Sequence, residues 1–231
     1  MFKKIADSFY TSLIYKDNYK IYVLGLKNTL IISLFAVIIG VVVGCLVAVV
    51  RYNSQAKKKS NPLSLLCDFY VMLVRGTPVT LQLLILYFVI FDFMKYQQIL
   101  IGVLAFGLNS GAYVSEIIRG GILSIDKGQM EAGRSMGLTG KQCMLYIIMP
   151  QVVKNTLPAI FNEFIALIKE TSVVGYIGVI DLTFAGKLIQ SGYAEAFLPL
   201  FVVAGVYLII VYLMTFVLKK LERRLSRSDR N

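Results

Sequence analysis

Five apolar stretches, at about 21–50, 63–93, 99–123, 142–178 and 196–218, dominate this 231-residue chain. Each meets or exceeds the roughly 20 residues an α-helix needs to cross a bilayer. Within hydrocarbon every backbone N–H and C=O must be bonded inside the protein, so these stretches are expected as helices. A hydrophobic content of 57% and a mean hydropathy of +0.72 are too high for a soluble domain of this length. The expected fold is all-α: one polytopic membrane domain over 1–231 with five transmembrane helices. Several stretches exceed one crossing, which predicts tilt, kinks or interfacial ends. The first begins well inside the chain and is followed by no small-residue cleavage site, so it is expected to be retained.

Orientation is read from the basic residues, which are held on the cytoplasmic side. Arg51, Lys57, Lys58 and Lys59 follow the first stretch; Lys127, Arg134 and Lys141 follow the third; Lys219, Lys220, Arg223, Arg224, Arg227 and Arg230 follow the fifth. Five spans place these groups on one side, with the N-terminus outside and the C-terminus inside. Lys3, Lys4, Lys16 and Lys20 then lie outside, against the rule, which suggests an interfacial amphipathic start. The net charge of +11 sits at span ends, where membrane lipid and topology account for it, so no nucleic-acid partner is expected. Cys45, Cys67 and Cys143 are scattered, imply no disulfide framework, and read as packing residues.

Absences narrow the chemistry. The chain contains no histidine, which removes a Ser–His dyad, a His-ligated haem and imidazole-based zinc sites. No metal site is expected. The stretch Gly137–Gln142 is the nearest thing to a phosphate loop, but the required glycine is Ser135 and the required hydroxyl after Lys141 is Gln142. If ATP drives this protein, another subunit binds it.

Between the third and fourth stretches lies a polar insert, Asp126–Gly137. Asp126 stands as an N-cap with Gln129 as reciprocal partner, and Gly137 supplies a C-terminal stop. Glu131 and Arg134 are one turn apart, and Ala132 and Gly133 keep the surface low enough for another protein to approach. The plain alternative is an interfacial helix held by a Glu131/Arg134 pair.

Four motifs in one order then carry a resemblance. Gly128-Gln129-Met130-Glu131-Ala132-Gly133, followed by Gly137 and by Ile147-Ile148-Met149-Pro150-Gln151, resembles the EAA signature of permease subunits of bacterial ABC importers. Val74-Arg75-Gly76-Thr77-Pro78, Asn109-Ser110-Gly111-Ala112-Tyr113-Val114-Ser115-Glu116 and Lys169-Glu170-Thr171-Ser172 are similar to the polar amino acid (histidine/glutamine) branch. Together they cover most of Leu63–Leu182. Gly133 replaces the usual second alanine, at about 1 kcal/mol of helix propensity, and Met149 replaces the usual leucine.

The resemblance implies a multi-pass permease of the bacterial inner (cytoplasmic) membrane, with no cofactor of its own. Its partners would be two copies of an ATP-binding cassette subunit carrying ATP and Mg, and an extracytoplasmic amino-acid-binding protein. Asp126, Gln129, Glu131, Ala132, Gly133, Arg134 and Gly137 would form the coupling helix that docks in the ATPase, with Glu131 and Gly137 as the leading contacts. Five helices build half a pathway, so a second permease subunit, identical or not, is expected.

Substrate residues are sought among polar groups at depth, since a mid-helix charge costs about 2.5–3.5 kcal/mol and faces a cavity. Asn155/Thr156, Asn162/Glu163 and Lys169/Glu170 recur every seven residues and share one helix side. An amino acid needs an acceptor for its ammonium and donors for its carboxylate. Glu163 is the leading acceptor; Asn162, Asn109, Ser110 and Thr77, beside the break at Pro78, are the other candidates. Two plainer readings stand beside these: Thr77 bonding back to its own helix, and Glu116 pairing structurally with Arg119 one turn on. Gly40, Gly44, Gly107, Gly111, Gly120 and Gly121 read as helix-packing positions. The segment 171–195 is expected as an outer loop acting as gate or docking surface, with Asp181 and Glu195 as solvated charges. A basic substrate is one option among polar amino acids. The competing function is a proton-coupled secondary transporter using Glu163 or Glu116, although no inverted second half is present. A structural or assembly protein would leave the polar stripe unexplained.

Overall fold

In the computed structural model all described elements are helical, and residues 9–56, 61–193 and 197–227 are described. Lys3, Lys4, Lys57, Lys58, Lys59, Arg230 and Glu195 lie outside them. The main helices are α1 (Tyr19–Ala56), α2 (Pro62–Gly76), α3 (Val79–Ile85), α4 (Gln98–Leu123), α5 (Lys127–Ser135), α6 (Gly140–Cys143), α7 (Met149–Glu170), α8 (Leu182–Tyr193) and α9 (Leu198–Arg227). A π-helical turn at Leu86–Ile90 extends α3, and one at Met144–Ile148 joins α6 to α7. Among the described residues four helical runs are long and apolar enough to cross a membrane: Tyr15–Ser54, Gln98–Leu123, Gly140–Ile177 and Leu198–Leu225. The broken pair Pro62–Gly76 and Val79–Ile90 makes a fifth if counted as one span.

Local chemistry explains that break. Asn61 and Ser64 form a capping box around Pro62 at the first helical position, which starts α2. The helix ends because Pro78 forces the residue before it out of helical space: Thr77 sits at φ −126, ψ 150.

The chain divides into two compact units. The first comprises residues up to Ala36, Pro78–Phe106 and Ile165–Thr215; the second comprises Val37–Thr77, Gly107–Phe164 and the chain from Phe216 onward.

In the first unit, Tyr22, Leu182, Ala185, Ile189 and Val203 form a buried cluster. Here the segment expected as an outer loop is largely helical over its described residues, 171–193. Thr171–Ile177 is a 3-10 helix, Gly178 turns the chain at φ 86, and α8 follows. Asp181 is fully buried. Its carboxylate accepts the backbone N–H of Thr183 at 2.8 Å and of Phe184 at 3.1 Å, capping α8. Burial pushes its pKa up, and those N–H donors pull it back towards the ionised form. The expectation of a solvated loop charge is therefore overturned, because these bonds take the carboxylate that a partner would have read.

Gly25 of α1 is the contact that lets this segment seat. A Cβ there would stand 2.6 Å from the Asp181 carbonyl oxygen and 3.0 Å from Ala185 Cβ. Backbone cannot step aside as a side-chain tip can. Gly25→Ala is expected to lower stability by about 1–3 kcal/mol despite the helix propensity it gains, read as a fall in the thermal midpoint of the purified chain. An unchanged midpoint would mean that α1 can slide past Asp181.

In the second unit, Val47, Val71, Val74 and Ala112 form one buried cluster and Ala48, Val114 and Ile118 another. Glycines bring the helices close, as the sequence suggests: a Cβ on Gly40 would meet Ser110 at 2.7 Å, and one on Gly44 would meet Val114 at 2.7 Å. Gly111 faces Tyr70 and Val43, and Gly121 faces Thr156, whereas Gly120 stands in open space and needs no packing account. All three cysteines are free; Cys143 is buried, but Cys45 is exposed and is no packing residue.

Candidate coupling surface and substrate site

Helix α5 is built by its ends. Asp126 holds extended backbone geometry and its side chain accepts the Gly128 N–H at 2.7 Å. At the other end Gly137 adopts φ 87. Its N–H reaches the Arg134 carbonyl at 3.0 Å, and the Leu138 N–H reaches the Gly133 carbonyl at 3.2 Å, the paired bonds of a Schellman stop. The reciprocal cap expected from Gln129 is not formed, since Asp126 bonds two residues on instead. The reciprocal box belongs to the next helix: Thr139 N–H donates to Gln142 Oε1 at 2.8 Å, and Gln142 N–H donates to Thr139 Oγ1 at 3.3 Å. The stretch weighed as a phosphate loop is thus the cap of α6.

Asp126, Gln129, Glu131, Ala132, Arg134 and Gly137 are exposed. Among the described residues no ion pair joins Glu131 to Arg134, so the plain reading of a helix held by that pair loses its basis. Gly133 differs from expectation. It is buried, and a Cβ there would lie 2.8 Å from Cys143 Sγ and 2.9 Å from Ile147 Cδ1. It seats α5 on the chain that follows and presents nothing outward. Met136, 85% exposed, was not singled out in the sequence; its place four residues beyond Ala132 on an amphipathic turn was the available signal.

The five substrate candidates all belong to the second unit. Asn109 and Ser110 are buried on α4. Ser110 is the residue against which Gly40 closes, and its hydroxyl is buried without a hydrogen-bond partner. In this conformation it offers a ligand no surface. Thr77 Oγ1 donates to the Leu73 carbonyl at 2.9 Å, the back-bonded arrangement that a chain-breaking threonine favours. On α7 the seven-residue recurrence has a clear meaning: Asn155, Asn162 and Lys169 are exposed, while Thr156, Glu163 and Glu170 lie one position inward and are buried or half-buried. Asn109, Thr77 and Glu163 each have an interaction partner in the protein.

The densest charge cluster is elsewhere. Arg119 donates from Nε and Nη2 to Glu116 Oε2 at 3.0 and 2.7 Å, confirming the expected one-turn pair. Arg51 adds a close bond from Nη1 to Glu116 Oε1 and another from Nε to Asp68 Oδ1 at 2.6 Å. Arg75 stands 3.6 Å from Glu116 Oε2, with its guanidinium over the Tyr113 ring. Arg51 was expected in a loop after the first span; it is instead a residue of α1. Three guanidinium groups on one carboxylate make a structural clamp, which disfavours Glu116 as a proton carrier.

Known proteins agree with this architecture. The family profile for the binding-protein-dependent transport system inner membrane component matches residues 40–227. The chain is 39% identical over 209 residues to the arginine transport system permease protein ArtQ of Bacillus subtilis, covering 89% of this chain and 92% of that one. It is 36% identical over 205 residues to the glutamine transport system permease protein GlnP of Escherichia coli, covering 87% and 91%. Among solved structures, an amino acid ABC transporter crystallised with histidines superposes with a TM-score of 0.83 at 39% identity, over 89% of this chain and 94% of that one. With a capped, exposed helix between two spans and a profile matched over most of its length, the chain belongs to the family of inner-membrane permease components of binding-protein-dependent ABC importers, whose ATPase activity lies on a separate subunit.

Proposed function

We propose that this permease moves a polar L-amino acid across the bacterial inner membrane by alternating access. A binding-protein-dependent importer implies an ATPase and a binding protein as partners; in our reading two ATPase copies carry the Mg-bound ATP, and a second permease subunit, identical or not, completes the pathway. The observation that carries the proposal is α5, a helix fixed at both ends, seated through Gly133 and displaying Ala132 and a Glu131 carboxylate that no ion pair engages among the described residues. ATPase closure would move α5 and favour the outward-open state, and a partner with no such preference would shift nothing. This assigns α5 to the cytoplasm, the N-terminus outside and the C-terminus inside.

Glu163 and Asn162 are proposed to meet the substrate ammonium, with Asn109 as a carboxylate donor. Thr77 would join only after giving up its bond to Leu73, and Asn109 and Ser110 only after a rearrangement that exposes them. The substrate class rests on the names of the relatives, which specify arginine and glutamine. Both present the same α-ammonium and α-carboxylate.

The test is uptake of labelled glutamine, arginine and histidine into proteoliposomes holding the chain with its ATPase and binding protein. Uptake should require ATP, and Glu163→Ala should reduce it ~10- to 100-fold, the worth of one hydrogen bond to a charged group. Uptake by the chain alone on a proton gradient would replace this reading with the secondary-transporter one.

A further inference from the structure

Arg51, Tyr52 and Arg119, with Ala48, Ile122 and Leu123, line a cavity of about 80 Å³ in the second unit. We propose that this cavity binds the headgroup of an anionic phospholipid.

Charge balance is the first argument. Arg51, Arg75 and Arg119 gather around Glu116 and Asp68, so three positive groups face two negative ones and one positive charge is left over. The leftover charge has unused donors. The bonds to Glu116 and Asp68 take Nε and Nη1 of Arg51, and Nε and Nη2 of Arg119. Arg51 Nη2 and Arg119 Nη1 have no acceptor among the described residues, and both residues line the cavity. Two guanidinium groups held in place by a shared carboxylate are a fork suited to phosphate oxygens.

Shape and position argue for a lipid. The lining sets two guanidinium groups and a tyrosine beside Ala48, Ile122 and Leu123, matching a molecule that turns from phosphodiester to glycerol and acyl chain. The volume holds only a few water-sized groups, enough for the phosphodiester but not for a bulky soluble anion. Leu123 is the last residue of α4, and Arg51 and Tyr52 lie in the final turns of α1, so the cavity opens where apolar spans give way to polar chain. Basic pockets between helix ends at this depth suit acidic headgroups, and the sequence continues from α1 into Lys57-Lys58-Lys59.

The test is native mass spectrometry of the full-length chain in detergent, titrated with dioleoyl phosphatidylglycerol or dioleoyl phosphatidylcholine, with inorganic phosphate as a competitor. Wild type should retain the glycerol lipid about tenfold more tightly than the choline lipid. Arg119→Gln should remove that preference, and millimolar phosphate should not displace the lipid. Leu123→Glu leaves every clamp residue in place and puts a carboxylate at the exposed mouth, one turn from Arg119, where it competes for the free guanidinium donors; it should remove the preference equally and keeps the test open if Arg119→Gln fails to fold. Equal retention of the two lipids, or a preference that survives both substitutions, would overturn the proposal. Displacement by inorganic phosphate would also overturn it, leaving a site for a small free anion.

Discussion

Replacing Glu116 by alanine is expected to cost about 3–5 kcal/mol of stability, the effect of removing one partner from a buried ion pair. Glu116 and Arg51 expose only 16% and 15% of their side chains. Without the carboxylate, Arg51 keeps only the half-exposed Asp68, while Arg75 and Arg119 are left as like charges beside it. Those two are 44% and 42% exposed, so water screens their repulsion and the cost is set mainly by Arg51. Glu116→Ala should therefore give a sharply lower yield and thermal midpoint in detergent. The double substitution Arg51→Met with Glu116→Leu should recover most of the loss, since an apolar pair of similar volume replaces a buried salt bridge at little net cost. A single variant as stable as wild type would show that the clamp contributes nothing. A double variant no better than the single would mean that the two residues do not act as a pair.

That clamp shows where sequence reasoning ends. The one-turn partner of Glu116, Arg119, is legible because helix geometry fixes neighbours three and four apart. Arg51 and Arg75 come from α1 and α2, 65 and 41 positions away, and no periodicity links them to α4. The same limit explains Asp181. Its neighbours Leu182, Ala185 and Ile189 recur at helical spacing, a signal that the expectation of an outer loop over 171–195 passed over. The structure uses Gly178 for a left-handed turn and presses Gly186 against Val203. Hydropathy located the spans because a bilayer imposes length and apolarity together. Capping located α5 because its signals are local; even so, Asp126 chose Gly128 over Gln129, a choice within one turn that composition does not decide.

In the proposed mechanism Gly133 ties the architecture to function, and its substitutions should separate two sizes of effect. The neighbours of an added Cβ are the Cys143 sulfur and the tip of Ile147, side-chain ends that can shift by tenths of an ångström. Gly133→Ala also gains about 1 kcal/mol of helix propensity, so it should leave stability within about 1 kcal/mol and uptake near wild type. That agrees with alanine being the usual residue here in the family the sequence resembles. Leucine has no such room. Its added carbons would meet Cys143, which is fully buried, and overpacking of about 1–3 kcal/mol would be relieved by lifting α5 off its seat. A docking helix displaced by even 1.4 kcal/mol of preference loses about tenfold in coupling. Gly133→Leu should therefore cut ATP-driven uptake at least about tenfold while the chain still inserts. Glu131→Ala, on the outer face, should lower uptake by weakening ATPase co-purification with no loss of thermal stability. Full uptake by Gly133→Leu, or equal loss in Gly133→Ala, would show that the seat of α5 does not transmit the ATPase motion.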